Sequence, residues 1–459
     1  MSILGTDKCP LRVGIIGAGP SGFYVADALF RSKIPVVVDV FDRLPTPYGL
    51  LRGGVAPDHQ QMKTVGKYYE KVATTPGFSF WGNVKVGRDI QIDELAKHYD
   101  VLVLTCGAET DKKLNIAGEE LPGSHTATAF VGWYNAHPDY QSCQFDFNQE
   151  IVAVIGQGNV AIDVTRILAK NRKELSSSDI TEHALSVLEA SKIKEIHLIG
   201  RRGPVQAAFT ELEIKELGEL EDCDVVVNPK DLELDTASRE ELENPANNKA
   251  RKNMAILEEF SRRPLQHKPK KIVIRFLESP SCIQGENKVE ALVLTKNKLV
   301  GEAYSQQAMA TEDQVHLSCG LIFRSVGYRG VPLEGVPFDT KRGVFPNIKG
   351  RIQKDGAPVQ GLYCSGWIKR GPSGVLGSNK SDATETVQAL VEDIAMMTPC
   401  TQRDSTALKT LLEKRGVRII TFDEWKTIDV EEVSRGKDLG KPREKFRYIE
   451  EIISFLDSH

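Results

Sequence analysis

The regular patterning of the chain begins at LRVGIIGAGPSGFYVADALF, where Val13, Ile15 and Ile16 form a short apolar run that stops at glycine. A run of that length bounded by glycine predicts a buried strand, and the apolar spacing from Phe23 to Phe30 predicts a helix after it. PVVVDVFDR, Pro35 to Arg43, predicts a second strand, and DVLVLTCGAET a third. The order of strand, glycine turn and amphipathic helix returns at EIVAVIGQGNVAIDVTRIL, with IKEIHLIG as the next strand. Between them, the stretch from Lys170 to Lys192 reads as helical and polar, and HLSCGLIFRSVGYRG reads as a later apolar strand ending in small residues. Strands alternating with helices in this way predict an α/β protein with two Rossmann-like units.

The two turns carry candidate chemistry. Gly17-Ala18-Gly19-Pro20-Ser21-Gly22 lets backbone approach a pyrophosphate, while the helix that follows offers unpaired N–H groups and a positive dipole end. Asp42 ends the next strand twenty residues after Gly22, placed to accept hydrogen bonds from an adenosine ribose. The second turn is Gly156-Gln157-Gly158-Asn159-Val160-Ala161, and its following strand ends in Arg201-Arg202 instead of an acid. An acid would repel a 2′-phosphate, whereas guanidinium groups bind it through charge-assisted hydrogen bonds. The second site is therefore expected to prefer NADPH to NADH. Two such sites in one chain suggest FAD held at the first and NADPH/NADP+ visiting the second, with hydride passing between rings. This arrangement predicts a discontinuous FAD domain, residues 1–109 and 329–459, with an NADP domain inserted at 110–328.

Composition narrows the class. Of 459 residues, 41% are hydrophobic and 27% charged, and the net charge of -4 gives no general nucleic-acid or membrane footprint. No run of about 18 apolar residues is present. The first strand follows within about a dozen residues of Met1, which gives an expectation of cytoplasmic residence. The eight cysteines are scattered without a CxxC pair, so no metal site is expected and the pattern argues against a dithiol flavoenzyme mechanism.

GIIGAGPSGFYVADAL, RLPTPYGLLRGGVAPDH, VIGQGNVAIDVTRIL, GRRGPVQAAFTELE and YCSGWIKRGPSGVLGSNKSDATETV together resemble adrenodoxin reductase and its bacterial ferredoxin–NADP reductase relatives. They fall in order from about residue 13 to 390, and RGVRIITFDEWKTIDVEE and GKPREKF in the tail are similar too. The resemblance implies an FAD enzyme that takes hydride from NADPH and gives electrons singly to a ferredoxin or adrenodoxin-like iron–sulfur protein. It implies that Gly17, Gly19, Ser21 and Gly22 hold the FAD pyrophosphate, with Asp42 at the ribose and Leu50 and Val86 as further contacts. Trp367 and the Gly374-Val375-Leu376 backbone would lie near the isoalloxazine ring. On the nicotinamide side, Gly156 to Val160 match the pyrophosphate loop, Arg201 and Arg202 the 2′-phosphate clamp, and Glu213 a nicotinamide-end contact. His59 and Asp163 would belong to the polar surround of the redox centre, and with Glu213 they are the candidate catalytic residues.

GAETDKKLNIAGE departs from the family pattern at Lys112 and Ala117, where arginine and proline are expected. Lysine keeps the charge but loses the planar fork, so any contact carried over to Lys112 is weakened. Lys249, Arg251, Lys252, Arg262 and Arg263, within NKARKNMAILEEFSRRP, resemble the family's docking region for an acidic partner. Two other functions remain open to the sequence: an NADPH-dependent flavoprotein reducing a small quinone-like acceptor, and a nucleotide-binding sensor without turnover.

Overall fold

Leu11–Ile16 is buried along its whole length, which suits it to the interior of a parallel sheet covered on both faces. In the computed structural model, which describes residues 3–374 and 377–458, it lies within a seven-stranded sheet. Across that sheet the order is Asn347–Ile348, Arg351–Lys354, Ala357–Cys364, Val101–Leu104, Leu11–Ile16, Val36–Phe41 and Phe78–Trp81. The last five run parallel and the first two close an antiparallel edge. Helices Pro20–Arg31 and Ser378–Asp393 pack together beside this sheet, over a core that includes Val13, Phe23, Val40 and Val387.

A second sheet has six strands, all parallel, in the order Ser124–Thr126, Leu321–Arg324, Ile151–Ile155, Glu195–Ile199, Lys270–Arg275 and Cys223–Val227. Between its fifth and last strands in the chain stands a three-stranded antiparallel meander, Glu278–Gln284, Ala291–Val300 and Gln307–Ser318. The chain leaves the first sheet after Val101–Leu104 and rejoins it only with the 347–364 strands, so the second unit is an insertion in the first. The two crossings, Thr110–Asp111 and Tyr328–Arg329, pair antiparallel with each other, and Lys112 N–H adds a 2.9 Å bond to the Gly327 carbonyl. The architecture is thus two Rossmann-like α/β units, one inserted in the other.

Two local features sharpen the sequence reading. The stretch from Lys170 to Lys192 is about half helical, in two short helices, Arg172–Leu175 and Glu182–Glu189, and it is less polar than it reads, burying Leu175, Ile180 and Leu185 under the second sheet. Leu321–Arg324 pairs with Ile151–Ile155, so the apolar strand in HLSCGLIFRSVGYRG completes the second sheet before the chain turns back. The C-terminal helices Phe422–Asp438 and Ile449–Asp457 return to the first core through Trp425, Ile428, Phe446 and Ile452.

The helix Pro20–Arg31 sits so close to the preceding turn that a Cβ at Gly22 would collide with the Gly17 carbonyl oxygen. Backbone cannot yield as a flexible side chain can. Gly22→Ala is expected to cost about 1–3 kcal/mol or more, read as a lowered thermal midpoint in calorimetry; an unchanged midpoint would refute the packing argument.

Candidate active site between the two sheets

Gly17 takes φ +112° and brings its Cα to a point where a Cβ would stand 2.6 Å from the Thr105 carbonyl oxygen. The turn therefore lies flat against the neighbouring strand end and leads into a helix whose N-cap, Gly19, has no side-chain cap. The unpaired N–H groups and the absence of side chains there form a cradle for an anion. Asp42 braces this turn: one carboxylate oxygen accepts from Ala18 N–H at 2.8 Å and the other from Leu44 N–H at 2.9 Å. Burial raises its pKa against the pull of those two donors. Ser21 Oγ donates to Ser365 Oγ at 3.1 Å, tying the turn to the strand end that carries Gly366 and Trp367.

Around this turn, Leu50 is 41% exposed at the start of the short helix Leu50–Gly53, while Val86 is buried against Trp81, Val84 and Ile90. Trp367 stacks on Tyr328 of the return crossing, ring centroids 5.3 Å apart at 27°. Gly374 is left-handed at φ +82°; Val375 and Leu376 lie outside the described residues.

The second turn repeats the cradle. Gly158 is the N-cap of Asn159–Ala169, again without a side-chain cap, and open space surrounds its Cα. Val160 follows Asn159 in the first turn of that helix. Gln157 is folded away, its Nε2 donating to the Arg275 carbonyl at 2.9 Å, and Asn159 Oδ1 accepts from Thr210 N–H at 2.9 Å. Gly156 N–H bonds the Ile199 carbonyl at 2.8 Å, which sets Arg201 and Arg202 beside the turn. Neither guanidinium has an ion-pair partner among the described residues. A cavity of about 250 Å³ adjoins them, lined by Pro204, Leu277, Asn297 and Leu299.

The three candidate catalytic residues come together where the units meet, around a residue that the sequence reading missed. Arg166 is fully buried. Its Nε and Nη2 hold Asp58 at 2.8 and 3.0 Å, Nη2 also holds Asp163 at 2.8 Å, and Nη1 holds Glu213 at 3.1 Å and Glu216 at 3.2 Å. Lys170 Nζ reaches Asp58 at 2.8 Å. His59 places Nε2 3.0 Å from Glu216 and 3.8 Å from Glu213, with Nδ1 3.9 Å from Asp163. His59, Glu213 and Glu216 could by spacing accept a cation. The Arg166 guanidinium, within 3.2 Å of both carboxylates, already supplies fixed positive charge there.

Four carboxylates face two fixed cations, so the cluster needs protons to approach neutrality. Burial, reinforced by negative Asp163, pushes Glu213 up to about 7. Asp163 is also raised by burial, against the pull of Arg166. Burial works against charge on His59, but its bond to Glu216 and the charges of Asp163 and Glu213 raise its pKa overall. Asp58 and Glu216 go the other way: burial opposes their ionisation, and Arg166 with Lys170, or His59 with Arg166, outweighs it. The arrangement can therefore hold and release a proton near neutral pH.

Asp58, Lys170 and Glu216 were missed along with Arg166. The signal lay in spacing, since Asp163 and Arg166, and Glu213 and Glu216, are three apart on helices and share a face.

Paired parallel sheets, each feeding a glycine turn into an uncapped helix, define the class of two-dinucleotide oxidoreductases. No family model matches the sequence. NADPH-ferredoxin reductase FprA of Mycobacterium tuberculosis is 41% identical over 456 residues, covering 97% of this chain and 98% of its own length. Human mitochondrial NADPH:adrenodoxin oxidoreductase is 38% identical over 463 residues, covering 98% and 92%. The solved structure of M. tuberculosis FprA in complex with NADPH matches with a TM-score of 0.92 at 40% identity, over 97% of this chain and 99% of that one. The chain belongs to the NADPH-ferredoxin and adrenodoxin reductase family.

Arg166→Met would leave the buried carboxylates without their shared cation, at an expected cost of about 3–5 kcal/mol in urea unfolding; a change under about 1 kcal/mol would refute its central place. Glu213 gives a pH signature. Its folded pKa of about 7 exceeds the ordinary 4.5, so its contribution to stability is complete below 4.5 and is lost as the pH rises through 7. From about pH 5 to 8 the wild type is expected to lose stability relative to Glu213→Gln; parallel curves would exclude the raised pKa.

Proposed function

We propose that this chain is an FAD-dependent ferredoxin–NADP reductase, exchanging hydride between NADPH and FAD and single electrons between FAD and a ferredoxin or adrenodoxin-like iron–sulfur protein. The observation that carries the reading is the pair of uncapped glycine cradles in one chain, the second flanked by two arginines without an ion-pair partner among the described residues. Family membership supports the partner class, because the relatives are named for ferredoxin and adrenodoxin. A small quinone-like acceptor has no comparable support.

In this reading residues 1–109 and 329–459 form the FAD domain and 110–328 the NADP domain. Gly17, Gly19, Ser21 and Gly22 would bind the FAD pyrophosphate, and Leu50, Val86, Trp367, Gly374, Val375 and Leu376 would complete its site. Asp42 serves its ribose end while bracing the turn that holds the phosphates. Gly156 to Val160 take the NADPH pyrophosphate, Arg201 and Arg202 its 2′-phosphate, and the cavity beside Arg202 has room for the adenine. FAD, when bound, supplies the hydride and single-electron chemistry. The chain's own part is alignment and charge: Tyr328 and Trp367 stack at the crossing between units, and His59, Asp163 and Glu213 keep an exchangeable proton nearby, on Glu213 below about pH 7.

Docking of an acidic partner would rely on Lys249 and Arg251. The structure neutralises the rest of that basic stretch: Lys252 pairs with Glu211, Arg262 with Glu258 and Arg263 with Glu259. Lys249 and Arg251 bond only backbone carbonyls, so their charge remains to steer an approaching anion. We also assign the protein to the cytoplasm, with its eight cysteines unpaired as a reducing compartment favours. Among the described residues no helix is long and apolar enough to cross a membrane.

Anaerobic stopped-flow absorbance tests the assignment: bound flavin should bleach faster with NADPH than with NADH and recover on addition of an acidic ferredoxin. Protein without flavin, or bleaching with no transfer to ferredoxin, would overturn it. Changing both Arg201 and Arg202 to Ser is expected to raise KM for NADPH about a hundredfold and to move that for NADH less than about threefold. Lys249→Glu with Arg251→Glu should lower kcat/KM for ferredoxin about tenfold at low salt and leave ferricyanide reduction unchanged; equal loss with both acceptors would exclude docking there.

A further inference from the structure

Behind the Leu50–Gly53 helix, on the side of Leu51 and Arg52, lies a cavity of about 290 Å³. Three parts of the chain meet there: the Tyr48–Glu70 region, Asp179 of the inserted unit, and the C-terminal segment from Phe422 to Lys445. Its charges do not balance. Asp179 accepts from both Lys63, at 2.5 Å, and Lys445, at 3.2 Å. Glu432, fully buried, takes Arg52 through both guanidinium nitrogens and Arg443 through one at 3.2 Å, while Asp429 takes that same nitrogen at 2.6 Å. Arg52, Lys63, Arg443 and Lys445 therefore face Asp179, Asp429 and Glu432, four cations against three anions. At the rim, Lys67 and Glu70 both line the cavity without bonding each other, and Lys426 pairs with Asp423 at 2.8 Å, so the rim adds no net charge to that excess.

Such an excess is costly to bury unless something answers it. Lys445 has its donors filled, by Asp179, by the Arg52 carbonyl at 3.3 Å and by Asn135 Oδ1 at 3.2 Å. The free donors lie on the cavity lining. Among the described residues, Lys63 has one acceptor for its three N–H groups, Lys67 has no ion-pair partner, and Arg443 uses Nη1 alone on its acids. The opposite wall is aromatic: Tyr48 meets Trp425 edge to face at 5.8 Å, and Arg52 lies 5.1 Å over the Trp425 ring. Burial and neighbouring cations also depress Lys445 and, more modestly, Lys63, the behaviour of ammonium groups short of anions.

We propose that this cavity is a binding site for a phosphate-bearing anion, held by Lys63, Lys67 and Arg443, with the Tyr48 and Trp425 wall available to a flat group attached to the phosphate. Its lining contains no residue of either glycine turn, although Tyr48 N–H donates to the Ala18 carbonyl at 2.8 Å, and it does not depend on the reductase assignment. Because the short helix Gln60–Lys63 starts from His59 as its N-cap, an anion on Lys63 would also stiffen the segment that carries His59.

The test uses the full chain as purified, with Arg201 and Arg202 both changed to Ser so that the arginine pair cannot report. Thermal midpoints are measured against inorganic phosphate, phenyl phosphate and chloride at constant ionic strength. Phosphate should raise the midpoint saturably beyond chloride, as a ligand of the folded state does. Phenyl phosphate binding about threefold or more tightly would assign the natural ligand to an aromatic phosphate ester, and equal affinities would assign it to free phosphate. Lys67→Ala, at an exposed and unpaired position, should weaken the response about tenfold. Lys63→Met should abolish it while raising the midpoint in chloride, because the excess charge is gone. Phosphate acting like chloride, or Lys67→Ala responding like its parent, would overturn the proposal even if Lys63→Met fails to fold.

Discussion

One guanidinium determines how the two halves of this protein meet. Arg166 arises from the helix that the second glycine turn initiates, and it reaches Asp58 in the loop that leads to His59. Its other bonds go to Asp163 and Glu213 of its own unit. With no exposed surface, it has no water to fall back on, so every nitrogen must find a carboxylate. The planar fork can serve several acids at once, a task for which an ammonium point charge is poorly shaped. The placement of His59 follows from this, since Asp58 is clamped and the next residue has little freedom. So does the proton on Glu213: the fourth carboxylate is drawn into a site that has cations for fewer.

What was legible in the sequence was what the chain builds from adjacent residues. The glycine turns, the acid at Asp42 and the Arg201-Arg202 corner each lie within one strand–turn–helix unit, where spacing carries the placement. The bonds by which Asp42 braces its turn were not foreseen. The insertion was legible because a flavin unit needs its chain to leave and return. The Arg166 cluster was legible only in fragments: helical spacing pairs Arg166 with Asp163 and Glu213 with Glu216, but Asp58 stands 108 residues from Arg166 and Glu213 47, and no periodicity joins the fragments. The basic helix shows an opposite error. Its arginines looked free, yet Glu258 and Glu259 precede Arg262 and Arg263 by four residues and neutralise them, a pairing the helical spacing already contained.

The seam between the units solves two charge problems of opposite sign. Around Arg166 there is a carboxylate too many, and a carboxylate can answer by moving its pKa toward 7 and keeping a proton. Around Asp179 there is a cation too many, and the remedies differ. Arginine cannot release its proton, and although burial depresses Lys445, its three acceptors hold it in place, so it is not among the cavity's free donors. The imbalance is left for a group from outside, and the unused donors of Lys63, Lys67 and Arg443 face the space where such a group would fit. The acidic side can settle its account with a proton from water, whereas the basic side, built partly of arginines that cannot lose theirs, offers its unused donors to a counterion with shape.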